Sequence, residues 1–191
     1  EIIMKKYQIS ILSIVVMLFP FTNIAAQSLS AVNDNVRVKE DTPQLIVTCF
    51  SKDRLLIFTD QGRVYGLKAW ETPLGSRHSR GSHIKNLLSS LRDDENIVTI
   101  LPLSRELLEE PAGHFLLFAT RLGLIKKTRL EEYVKINKNG KYALRFKLEG
   151  DSLVNVRSGT EDVDIVMISS TGLASRFKCS AINATGRVSA G

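Results

Sequence analysis

The chain of 191 residues has few of the residues on which catalytic and metal chemistry depend. It contains two cysteines and three histidines. Cys49 and Cys179 lie far apart, so they form neither a metal-binding spacing nor a disulfide framework, and a reduced, buried role is expected for both. His78, His83 and His114 are too scattered for a metal site, and the first two sit among arginines in a polar loop. No glycine-rich phosphate loop of the P-loop type is present. The paired carboxylates Glu109-Glu110 and Glu131-Glu132 read as solvated faces rather than acid/base pairs. The tyrosines, Tyr7, Tyr65, Tyr133 and Tyr142, fall in the leader or at strand and connector positions. The chain is therefore expected to be non-catalytic on its own, with no metal and no cofactor.

What is present is a repeated phrase. Leu55 to Lys68 reads LLIFTDQGRVYGLK, Leu116 to Lys127 reads LLFATRLGLIKK, and Ile165 to Arg176 reads IVMISSTGLASR. With Gly62, Gly123 and Gly172 in register, Thr59, Thr120 and Ser169 each stand three residues before the glycine. The physical logic is that of a hairpin. An apolar strand ends in a hydroxyl residue, and a glycine supplies the positive φ that other residues avoid. One such turn is commonplace in antiparallel proteins. Three with matching flanks are copies of one supersecondary unit, at the variable spacing of blade or array architectures.

Around these hairpins the sequence predicts strand-like material at Leu45–Phe50, a closing strand over Ile84–Leu91, and a helical turn or wide loop over Ser104–Pro111. Ile97–Leu103 and Leu153–Val156 are expected to open the second and third units, and Tyr142–Leu148 alternates like a half-buried strand. The last copy stops at Gly191, in register with Gly81. A third unit lacking its closing strand, with a raw edge, is expected.

The N-terminal part differs. Residues 1–27 read as a signal-peptide-like leader: Lys5 and Lys6 precede an apolar core from Ile9 to Phe21, followed by Ala25-Ala26. The core is short and broken by Pro20, so no transmembrane helix is expected. Residues 28–43 form a polar linker, and 44–191 the repeat region. Lys5, Lys6, Arg37 and Lys39 balance Glu1, Asp34, Glu40 and Asp41, so the whole net charge of +6 belongs to the repeats. The cations gather near the hairpins. Arg63, Lys68, Arg77 and Arg80 surround the first, Arg121, Lys126, Lys127 and Arg129 the second, and Arg176, Lys178 and Arg187 the third. A polyanion touching each hairpin in turn would be held through phosphate contacts, blind to base sequence.

FTDQGRVYGLKAWETP, the Ser76-Arg77…Gly81 loop, IKNLL, ILPL, FATRLGLIKKT and SSTGLASRF occur in an order that resembles the C-terminal domain of the DNA gyrase A protein, over Val38 to Gly191. The paralogous topoisomerase IV protein has a similar domain. The resemblance implies an all-β, propeller-like β-pinwheel of four-stranded blades, about half of the ring being present, which binds and bends or wraps duplex DNA without sequence preference. It implies as partners duplex DNA, the remainder of the gyrase A protein, and the ATPase subunit of a type II topoisomerase. It also implies a cytoplasmic, nucleoid location and no membrane association once the leader is removed. ATP and Mg would be used by other domains. One departure stands out: a basic glycine-rich box of the form QRRGGKG, needed in the family for wrapping that introduces negative supercoils, has SAVNDNVR in its place. The leader is also foreign to that family. The alternatives are an exported β-repeat module that binds an acidic glycan or protein, and an inactive gene fragment.

Overall fold

A computed structural model describes residues 44–76 and 81–190. The leader, the whole linker, Arg77, His78, Arg80 and Gly191 lie outside the described residues. Nine strands are seen among the described residues: β1 (Arg54–Thr59), β2 (Arg63–Lys68), β3 (Ile97–Leu103), β4 (His114–Thr120), β5 (Ile125–Arg129), β6 (Lys141–Tyr142), β7 (Leu153–Thr160), β8 (Asp164–Ile168) and β9 (Ala174–Lys178). They form a four-stranded sheet β3-β1-β2-β6, a three-stranded sheet β5-β4-β7 and the two-stranded sheet β8-β9.

Each glycine phrase is a hairpin: β1–β2, β4–β5 and β8–β9 pair antiparallel. Gly62, Gly123 and Gly172 have φ of 74°, 86° and 84°, the left-handed region that a Cβ disfavours. Their N–H groups donate to the carbonyls of Thr59, Thr120 and Ser169 at 3.0, 3.1 and 3.0 Å. The hydroxyls of the same three residues accept from the N–H of Arg63, Leu124 and Leu173 at 3.3, 3.2 and 3.1 Å. The hydroxyl before each turn therefore closes the loop from inside, so Thr or Ser is required there rather than Val.

β3 and β7 differ from expectation. They do not open new units but pair back antiparallel on β1 and β4. Both ladders shift register at the same repeat position, between Phe58 and Thr59 and between Ala119 and Thr120. Pro102 fits because β3 is an edge strand. The first sheet is completed from the next unit: β6 pairs with β2, Arg63 opposite Tyr142.

Further expectations are corrected. Leu45–Phe50 forms no strand; Val47 is half-buried, while Leu45, Ile46 and Phe50 are exposed, Ile46 by 86% and Phe50 by 79%. Ile84–Leu91 contains a 3-10 turn over Ile84–Asn86. The spacing of Ile84, Leu88 and Leu91 gathers all three on one side, where they cover Ile57, Tyr65 and Leu67 on the back of the first sheet. In Tyr142–Leu148 only Tyr142 lies in a strand. Consecutive Ala143 and Leu144 are both buried and both donate N–H to Gly62 O, at 2.8 and 3.3 Å, which breaks the alternation. Ser104–Pro111 does hold a helix, α1 (Arg105–Glu109), capped by Ser104 Oγ accepting from Leu107 N–H at 3.3 Å.

The main core lies between the first and second sheets. Leu56, Phe58, Val64, Leu101 and Leu103 meet Leu116, Phe118, Leu130, Tyr133 and Val156. Ring centroids of Phe58 and Phe118 are 5.7 Å apart, edge to face, and Tyr133 is 6.4 and 5.8 Å from them. Cys179 is buried as expected, whereas Cys49 is exposed, because the segment that carries it joins no sheet.

Candidate nucleic-acid interface

The basic residues separate into two groups that sequence proximity does not distinguish. In β5, Lys126 and Lys127 are consecutive and point to opposite faces, yet each is only 2% exposed because both faces of this sheet are covered. Lys126 Nζ donates to the carbonyls of Arg187, Ser189 and Ala143 at 2.7, 2.9 and 3.4 Å. Burial brings its pKa down to about 8. Lys127 Nζ donates to both oxygens of Glu161 at 2.9 Å and to Cys179 O at 3.0 Å. These two ammonium groups hold the second unit to the third. Both stand among the candidates for phosphate contact, and in the fold their hydrogen-bonding positions are filled by carbonyls and a carboxylate.

Arg63 is also engaged. Its guanidinium pairs with the buried Glu95 at 2.9 Å and lies 5.1 Å from the ring centroid of Tyr65. The Tyr65 hydroxyl donates to Glu95 at 2.9 Å; burial, with this bond behind it, pushes the phenol well above its ordinary pKa. Arg187 is half-buried, and its guanidinium donates to Tyr142 O. Arg77 and Arg80 lie outside the described residues.

Five candidates remain exposed, Lys68, Arg121, Arg129, Arg176 and Lys178. Three of them recur at one repeat position. Lys68, Arg129 and Lys178 each stand six residues after the turn glycine, at the end of the second hairpin strand. Each is the residue before a 3-10 turn, with φ/ψ of −81°/137°, −63°/138° and −73°/142°. The same local structure thus presents a cation to solvent three times. Their surroundings differ. Lys68 Nζ lies 5.7 Å from the ring centroid of Trp70, Lys178 Nζ pairs with Asp164 at 2.8 Å, and Arg129 makes no ion pair among the described residues. Asp164, through its hydrogen bond, raises the pKa of Lys178. Arg176 shares Asp164 at 3.9 Å.

Sequence reasoning missed two elements of the frame around these cations. Arg54 reaches across the first seam, with Nη1 donating to Val134 O at 3.0 Å and Nη2 to Ile136 O. Glu95 takes Arg63 out of the exposed set. No local pattern marks either, because their partners lie far along the chain. The connector also adds exposed cations, Lys135, Lys138, Lys141, Arg145 and Lys147. No cluster of metal-ligating side chains is found among the described residues.

Residues 53–104, 114–158 and 164–191 match the family described as DNA gyrase C-terminal domain, beta-propeller, and each matched segment starts at or beside one of the three hairpins. The chain belongs to this family. The A subunit of DNA gyrase from Deinococcus deserti is 39% identical over 153 residues, covering 80% of this chain and 18% of that protein. Its Staphylococcus epidermidis counterpart is 40% identical over 152 residues, covering 80% of this chain and 16% of the relative. The chain therefore spans less than a fifth of the curated relatives it matches. The solved C-terminal domain of DNA topoisomerase IV superposes with a TM-score of 0.63 at 27% identity, over 74% of this chain and 42% of that one. A DNA gyrase A C-terminal domain gives 0.57 at 21% identity, over 74% and 43%, and speaks to the fold alone. The gyrase-type C-terminal domain is thus an all-β, pinwheel-type repeat here. These relatives give the exported-module alternative no support.

Proposed function

We propose that this gyrase-type domain binds duplex DNA through its phosphates, without reading base sequence, and bends or wraps it as the C-terminal part of the A protein of a type II topoisomerase. The recurrence of Lys68, Arg129 and Lys178 at one exposed position of each repeat carries this reading. Cations presented once per structural unit match a polymer whose charge also recurs, and each phosphate neutralised releases counterions. Phosphate contacts position the duplex, and the sequence dependence of bending rests on DNA deformability. Arg176 and the connector lysines Lys135, Lys138 and Lys141 add further exposed cations.

On this reading the chain does no bond-breaking itself. Strand passage, ATP and Mg belong to the remainder of the gyrase A protein and to its ATPase partner, and the setting is the cytoplasmic nucleoid. The test is duplex binding by the whole chain across a range of salt concentrations, against a triple variant Lys68→Gln, Arg129→Gln, Lys178→Gln. Loss of three phosphate contacts flattens the slope of log K against log salt by about 0.9 per contact. An unchanged affinity and slope in a folded triple variant refutes the assignment.

A further inference from the structure

The seam between the second sheet and the β8–β9 hairpin is a hollow copy of the seam between the first two sheets. Four residues before the turn glycine stands Phe58 in the first unit and Ala119 in the second. Five before the next unit's glycine stands Phe118 at the first seam and Met167 at the second. Ten after it stand Tyr133 and Ile182. Three mutually contacting rings in the first seam, all fully buried, are thus replaced by alanine, methionine and isoleucine, each only half-buried.

Closely packed interiors do not close over a loss of three rings, and the deficit remains as space. A cavity of about 770 Å³ opens here beside Ala119, Leu122, Val154, Met167 and Leu173. A second one, of about 210 Å³, also touches Ala119 and Met167 and extends to Leu117 and Val166. The larger volume is that of small-molecule pockets, which are apolar with a few converging polar groups. Thr120, Ser169, Ser170 and Ser175 also line the larger cavity, the Thr120 and Ser169 hydroxyls being engaged within their own turns, and Arg121 supplies the cation. Arg121 is exposed, and its guanidinium makes no ion pair among the described residues.

We propose that this seam is a binding site for a flat aromatic small molecule bearing one anionic group. The aromatic body replaces the ring volume that the first seam supplies from its own side chains, and the anion is received by the planar guanidinium of Arg121. The site is separate from the row of exposed cations, so it stands or falls independently of the DNA reading.

The probe is 1-anilinonaphthalene-8-sulfonate, titrated by fluorescence into the whole chain. Saturable one-site enhancement is expected. Ala119→Phe, which restores the residue of the first unit, weakens binding at least tenfold and raises the thermal midpoint. Should that variant not fold, Ala119→Leu serves with the same expectation. Arg121→Gln weakens the sulfonate probe several-fold and leaves the uncharged N-phenyl-1-naphthylamine unchanged. Undiminished probe binding in the folded Ala119 variant places the dye on other exposed apolar groups and overturns the site. Equal loss of both probes in Arg121→Gln overturns the anionic specificity.

Discussion

The ammonium group of Lys126 lies 2.7 Å from the carbonyl oxygen of Arg187, a residue from the following unit. With Ser189 O at 2.9 Å, it ties the strand β5 to the segment after β9. A lysine in a basic hairpin phrase therefore works as a structural staple. Lys126→Met removes the donor and leaves these carbonyls unpaired, at about 1–3 kcal/mol for each group that water cannot reach. Urea unfolding is expected to show a clear loss of stability, while the salt slope of DNA binding stays at the parental value. A variant of full stability contradicts the staple.

The same lysine predicts a pH dependence. In the unfolded chain it titrates near 10.5, and burial lowers it to about 8 in the fold. Between these values the unfolded chain holds the additional proton, so stability rises with pH through that window. Below pH 8 the cost of burying the charge is present in full. The difference in unfolding free energy between the parent and Lys126→Met should therefore shift in favour of the parent from pH 8 to 10.5. A difference that stays flat over this range shows that the ammonium is not desolvated.

Glu95 is the hub of the first hairpin's polar contacts. Its side chain is fully buried and receives Arg63 and the Tyr65 hydroxyl, both at 2.9 Å. Glu95→Ala strands a guanidinium that is only 12% exposed, and breaking a buried pair in this way costs about 3–5 kcal/mol. Thermal unfolding checks the size of the loss. A change within the range of surface substitutions, about 0.5 kcal/mol, contradicts the assigned role.

Two glycines separate conformational strain from crowding. At Gly66 a Cβ would collide with Ile136 O, a backbone atom that cannot move aside without shifting the connector. At Gly123 the φ of 86° is the sole obstacle, since nothing lies within 4 Å. Gly123→Ala is expected to cost about 1–2 kcal/mol, and Gly66→Ala clearly more. Equal losses in denaturant titrations contradict the close approach at Gly66.

The hairpins were legible because their chemistry is local. Thr59, Thr120 and Ser169 bond within their own turns, and Gly62, Gly123 and Gly172 bear a backbone constraint visible in the residue type. The placement of β3 and β7 was not legible, since an alternating strand pairs equally well with the hairpin before it or the one after. Nor was the fate of Lys126 and Lys127. Two adjacent residues in a strand face opposite ways, so one of them is exposed whenever only one face is covered. Here both faces are covered, by groups from Ala143 onward. The exposed row of Lys68, Arg129 and Lys178 was present among the candidates. It became distinct only once the 3-10 turns showed that the three share one backbone setting.

The pairing of β2 with β6 fixes an order of events during synthesis. Arg63 has its partner strand at Tyr142, so the edge of the first sheet stays open until the ribosome has passed the second hairpin. At about 5–20 residues per second that is a wait of several seconds. Throughout it the nascent chain carries an unmatched edge that a chaperone or a neighbouring nascent chain can bind, and the first blade matures only as its successor emerges.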